Sequence, residues 1–112
     1  MKITRLALAS RSKQKGNRFE REIVKIINDA GHGAKRAYAS NGLSLGESEE
    51  CDIKAIINGF PYRIQAKVRK TIAKWIIPDT KVVDIQIVKA DRGEPLVIQP
   101  LSEWLKDKKF QL

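Results

Sequence analysis

Three residues near the middle of the chain have the types and spacing for metal-assisted hydrolysis. Asp52, Gln65 and Lys67 form the pattern D-x12-Q-x-K. Cutting a phosphodiester calls for a hard divalent cation that neutralises the non-bridging oxygens and lowers the pKa of an attacking water. Mg²⁺ takes oxygen ligands and keeps several waters, and Mn²⁺ can substitute for it. A carboxylate at Asp52 and an amide oxygen at Gln65 are suitable donors, and the backbone carbonyl of Ala66 between the two polar side chains is a further candidate. Lys67 has the charge to orient the water or to stabilise the charge that develops. Glu20, far upstream, could add a second carboxylate through water.

These residues must be positioned by a hairpin and a helix. "CDIKAII", 51–57, reads as a strand, with Cys51, Ile53, Ala55 and Ile57 on one face and Asp52 and Lys54 on the other. In "YRIQAKV", apolar Tyr62, Ile64, Ala66 and Val68 alternate with Arg63, Gln65 and Lys67. Asn58-Gly59 between the two runs signals a two-residue turn. Residue numbers paired across it sum to 117, which sets Asp52 opposite Gln65. Pro61 weakens that register, because it lacks a donor; the proximity of Asp52 and Gln65 is the firmer expectation. Phe19, Ile23, Ile26, Ile27 and Ala30 are spaced for a helix over about Gln14–Ala30, ended by Gly31. Ile23 and Ile27 lie three and seven residues beyond Glu20, which puts Glu20 on the flank of the buried stripe.

The remaining segments read as short elements. "AKRAY" is a strand and 39–50 a loop. "TIAKWII" is a short helix or an irregular segment, "VVDIQIV" and "PLVIQ" are strands, and "LSEWLKDKK" is a terminal helix. The order α-β-β-β-α-β-β-α predicts an α/β sandwich on a mixed sheet of five strands. Trp75 and Trp104 are expected in the core or in a dimer interface, and Cys51 as a buried thiol.

With 112 residues the chain fits one domain: a basic arm over residues 1–13 and a folded domain over 14–112. The formal charge of +9 suggests a polyanionic partner. Its distribution is uneven, with +7 over residues 1–36, −4 over 37–53, +6 over 54–75 and zero over 76–112. A protein that only coats nucleic acid has no need of the acidic interval, whereas a metal site beside phosphates does. One cysteine excludes an internal disulfide framework. The opening apolar run is too interrupted for a signal peptide, and no stretch reaches the ~18–20 apolar residues of a membrane span. The expectation is an intracellular protein with no membrane partner.

"QKGNRFERE", "KRAYAS", "CDI" and "RIQAKVRK" together resemble the PD-(D/E)XK nuclease superfamily, and within it the archaeal-type and phage-borne Holliday junction resolvases. Lys15, Gly16, Glu20, Arg21 and Glu22 match the opening motif; Arg36 takes the place of an arginine before the loop, and Ser40 that of a loop serine. Asp52 falls on the metal aspartate, and Gln65-Ala66-Lys67 on Glu-x-Lys. The resemblance covers roughly residues 14–70 and departs at Gln65, where a carboxylate is usual. It implies a restriction-endonuclease-like fold and a Mg²⁺-dependent endonuclease that makes paired nicks in four-way DNA junctions as a homodimer. The candidate catalytic set is then Glu20, Ser40, Asp52, Gln65 and Lys67, with Asp52, Gln65, the Ala66 carbonyl and Glu20 as metal donors. Lys13, Lys15, Arg18, Arg21, Arg36, Arg69, Lys70 and Lys74 form the expected DNA-binding surface. The phage-borne relatives place such an enzyme in host cytoplasm. Two other readings share these residues: a nuclease directed by flaps, nicks or sequence, and a non-catalytic DNA-binding protein on a nuclease scaffold.

Overall fold

The structure is a computed structural model that describes residues 5–37, 45–47 and 50–109. The chain divides into two compact units, Met1–Val68 and Arg69–Leu112.

The first unit opens with helix α1, Arg5–Asp29. It begins nine residues before the expected start, because Leu6, Ala7, Leu8 and Ala9 are themselves strong helix formers. Its buried stripe is Glu20, Ile23 and Ile27, so Glu20 lies within the stripe rather than on its flank. The helix closes in a left-handed cap. Gly31 has φ 91°, its N–H donates to the Asn28 carbonyl at 3.0 Å, and the His32 N–H donates to the Ile27 carbonyl at 3.2 Å. The Asn28 side chain then accepts the Ala34 N–H at 2.8 Å, which ties the helix end to the strand that follows.

Strands β1 (Gly33–Arg36), β2 (Ile53–Ile57) and β3 (Phe60–Ile64) form an antiparallel sheet with β2 in the centre. The central strand buries Ile53, Ala55 and Ile57, and α1 contributes Ile23 and Ile27 to the same core. Full burial of an isoleucine contributes about 1.5–3 kcal/mol, and Ile27, Ile53 and Ile57 are fully enclosed. The turn is the expected two-residue one, with Asn58 at φ 52° and Gly59 at φ 83°. The pairs Ile57↔Phe60 and Ile53↔Ile64 carry the predicted register. Pro61 is accommodated because it stands opposite Ile56, one step past the hydrogen-bonded pair at the turn, where a strand N–H points away from its partner.

In the second unit a 3₁₀ turn at Lys74–Ile76 precedes an antiparallel pair, β4 (Gln86–Val88) and β5 (Leu96–Ile98), and helix α2 (Leu101–Lys109). The single mixed five-stranded sheet is therefore corrected to two small antiparallel sheets, of three strands and two, alongside two helices. The expected strand over 82–88 is shortened by a turn. The N–H groups of Val82 and Val83 both donate to the Asp79 carbonyl at 3.0 Å, and the Asp79 side chain accepts the Lys81 N–H. Chain committed to that turn cannot also extend into a ladder. Leu105 is buried in this unit. Trp75 is 68% exposed, so it is no core residue, and Trp104 is half-buried beneath Lys108.

Candidate active site

The hairpin brings Asp52 to the Gln65-Ala66-Lys67 segment by a route the ladder alone does not provide. In a regular antiparallel strand, one residue's N–H and C=O serve the same neighbour. Asp52 divides them: its carbonyl accepts the Ala37 N–H at 2.8 Å, and its own N–H donates to the Ile64 carbonyl at 2.9 Å. The pleat breaks there as it does at a bulge, a device that re-aims a side chain. The carboxylate then replaces a backbone acceptor, since Asp52 Oδ2 takes the Ala66 N–H at 2.8 Å. Strict opposition of Asp52 and Gln65 is thus superseded by a side-chain clasp one residue further on. Asp52 is half-buried, Ala66 likewise, and Gln65 and Lys67 are exposed on either side of Ala66. Ile64 and Val68 are more covered than their neighbours, in keeping with the alternation.

Glu20 is engaged elsewhere. Its side chain is 6% exposed and its Oε1 accepts from Arg36 Nε at 3.1 Å. Arg36 also donates through Nη2 to Asn17 Oδ1 at 3.2 Å. A buried carboxylate needs such a partner, because its charge is costly to strip of water. Residue 36 ends β1, and its neighbour Ala37 holds the Asp52 carbonyl, so one short segment contacts both acids' elements. Asn17 was not foreseen; its signal was its place three residues before Glu20 on the helix, which sets both on one face. Among the described residues, no group of three or more His, Cys, Asp and Glu converges to hold a metal. Ser40 lies outside the described residues.

Of the expected DNA-binding residues, Lys13, Lys15, Arg18 and Arg21 are exposed on α1, and Arg69, Lys70 and Lys74 are exposed in the second unit. Arg36 is the exception, since its guanidinium is committed to Glu20 and Asn17. Among the described residues no helix is long and apolar enough to cross a membrane.

The residues that could hold a cation here are all oxygen donors. Asp52 keeps Oδ1 while Oδ2 is occupied by the Ala66 amide, and the same clasped segment carries Gln65 and the Ala66 carbonyl. That set fits a hard divalent ion that retains most of its water, with one formal negative charge in place of the usual two or three. Comparison with known proteins gives one family: the model for the archaeal Holliday junction resolvase, Hjc, matches residues 11–103. No curated protein and no solved structure matches. The matched span takes in α1 from Arg11 onward, both sheets, the Asp52–Ala66 clasp and the start of α2. Its members are metal-dependent nucleases of restriction-endonuclease-like fold that act on DNA junctions. The chain belongs to the archaeal Holliday junction resolvase family and is an endonuclease.

Proposed function

We propose that this resolvase uses Mg²⁺, with Mn²⁺ as a substitute, and nicks opposing strands of a four-way junction as a symmetric homodimer. The observation that carries the reading is the clasp of Asp52 Oδ2 on the Ala66 N–H, which ties a carboxylate just before β2 to the segment just after β3 that carries Gln65 and Lys67. Asp52, Gln65 and the Ala66 carbonyl would hold the ion. When bound, the ion shields the non-bridging phosphate oxygens and acidifies a water. Asp52 is oriented for that task before any ion arrives, because the amide fixes the carboxylate plane. Lys67, exposed one residue beyond Ala66, places a positive charge where the scissile phosphate gains negative charge. Glu20 assists through water, from a position set by Arg36.

A junction with two equivalent strands to cut is matched by two equivalent sites, and a two-fold dimer supplies them. Lys13, Lys15, Arg18 and Arg21 on α1, and Arg69, Lys70 and Lys74 in the second unit, contact the phosphates. An enzyme of this kind works where DNA is recombined, inside the cell. The decisive experiment incubates a fixed four-way junction with Mg²⁺ and compares the wild type with Asp52→Asn. Paired nicks by the wild type, a loss on the order of 10²-fold or more in the variant, and retained junction binding are expected. Equal cleavage by the two proteins overturns the reading.

A further inference from the structure

We infer that the open face of the first unit's sheet is a phosphate-binding surface, centred on a row of three cations that crosses all three strands. Lys35 on β1 is the direct partner of Lys54 on β2, and Lys54 is the direct partner of Arg63 on β3. Residues directly opposite in an antiparallel sheet project from the same face with Cβ atoms about 4.5–5.5 Å apart. Like charges placed so are destabilising. Lys35 and Arg63 are exposed, and the Lys54 side chain is 43% exposed.

Among the described residues, one acid answers the row. Lys54 Nζ lies 3.1 Å from Glu47 Oε1, which leaves the row at a formal +2 from three cations and one anion. The opposite face of the same strands carries Ile53, Ala55 and Ile57 into the core, so these cations have no route to the interior. A run of charge along a chain is usually a solvated face. A transverse row is different, because the register that seats Ile53 and Ile57 also forces the three cations together. The fold bears that repulsion, and a polyanion relieves it.

The position of the row says what the polyanion is for. Lys54, the second residue of β2, lies two residues past Asp52, and Arg63, the fourth of β3, lies two residues before Gln65. Two strand residues span about 6.6–6.8 Å, and the strands are about 4.7–4.9 Å apart. The row is thus about 10 Å wide and lies beside the clasp, a band of positive charge that continues from the site. A strand whose scissile phosphate rests by Asp52 runs its backbone onto this band, where Lys54 and Arg63 meet it together. This assignment rests on the resolvase reading for its substrate, and it adds residues on the sheet to those on α1 and in the second unit.

The test measures binding of a fixed four-way DNA junction by the full chain in chelator, over a range of salt concentrations, so that no cleavage is needed. The proteins are wild type, Lys35→Gln, Arg63→Gln, the double variant, and Lys106→Gln on α2 as control. Each row substitution is expected to weaken binding several-fold and to reduce the slope of log K against log salt by about one, and the double variant by about two. Without DNA, Lys35→Gln is expected to hold or raise the melting temperature, since it removes a like-charge contact. Weaker binding by a protein that is no less stable cannot come from misfolding. An unchanged slope in the double variant overturns the inference, and so does an equal loss in Lys106→Gln. A wild type that binds the junction with the expected salt slopes but cuts nothing with metal refutes the catalytic reading and leaves this surface standing.

Discussion

The Asp52 carboxylate accepts the Ala66 N–H at 2.8 Å, so the acid just before β2 holds the middle residue of the Gln65-Ala66-Lys67 segment just after β3. The contact joins the last turn of the ladder to the residues that follow it, where no backbone acceptor continues the pairing. It also makes two roles of Asp52 separable. Asn at position 52 retains an acceptor oxygen for the amide, whereas Ala does not. Both Asp52→Asn and Asp52→Ala should lose junction cleavage. Asp52→Ala should also lose the whole stabilisation of a charge-assisted hydrogen bond, about 1.5–3 kcal/mol, whereas Asp52→Asn keeps a neutral bond and should lose only part of it. Urea unfolding of the two variants checks this, and equal midpoints would show that the clasp contributes nothing to the fold.

Gln65 supplies an oxygen without charge. Adding a carboxylate beside Asp52 raises the ligand charge, the quantity that tunes affinity for hard cations. Gln65→Glu is therefore expected to lower the Mg²⁺ concentration for half-maximal cleavage by roughly tenfold, and Gln65→Ala to raise it. A metal titration at saturating junction reads both. A Glu variant that needs the same Mg²⁺ as the wild type would remove Gln65 from the metal site.

The Arg36–Glu20 pair predicts an asymmetry in stability. Arg36→Met leaves a buried carboxylate without its guanidinium, and breaking such a pair costs about 3–5 kcal/mol when burial is complete. Arg36 is 25% exposed, so the lower end of that range is expected. The double variant Arg36→Met with Glu20→Leu should recover most of the loss, because it removes the stranded charge as well. Chemical denaturation of the four proteins of the cycle measures the coupling.

Gly59 sits at φ 83°, and a Cβ built there meets nothing within 4 Å. The cost of a side chain is then conformational rather than steric crowding. Gly59→Ala should destabilise by roughly 1–2 kcal/mol, read as a lowered melting temperature, and Gly59→Asn by less, because asparagine tolerates the left-handed region. Junction affinity in chelator should be unaffected below the transition.

Much of the first unit was legible in the residues. Period-two alternation in "CDIKAII" identified Ile53, Ala55 and Ile57 as the buried face, and Asn58-Gly59 fixed the turn and so the register. These are local signals, and a hairpin is the fold element in which local signals suffice. The second unit was less legible. Val82, Val83 and Ile85 look like strand residues by propensity, yet the Asp79 turn captures the first two, and propensity does not register a competing hydrogen bond.

By itself the sequence determined the family motifs, the hairpin and the neighbourhood of Asp52 and Gln65, because turn chemistry and side-chain alternation act over a few residues. Tertiary structure decided what each charged group does. It turned the backbone at Asp52 so that the carboxylate clasps Ala66, and it buried Glu20 against Arg36, sixteen positions away in the chain, whose guanidinium also donates to Asn17. It also set Lys35, Lys54 and Arg63 in one row. Charge pairing in a fold depends on which elements pack together and on how much water remains between them, and neither is encoded in the spacing of any one segment.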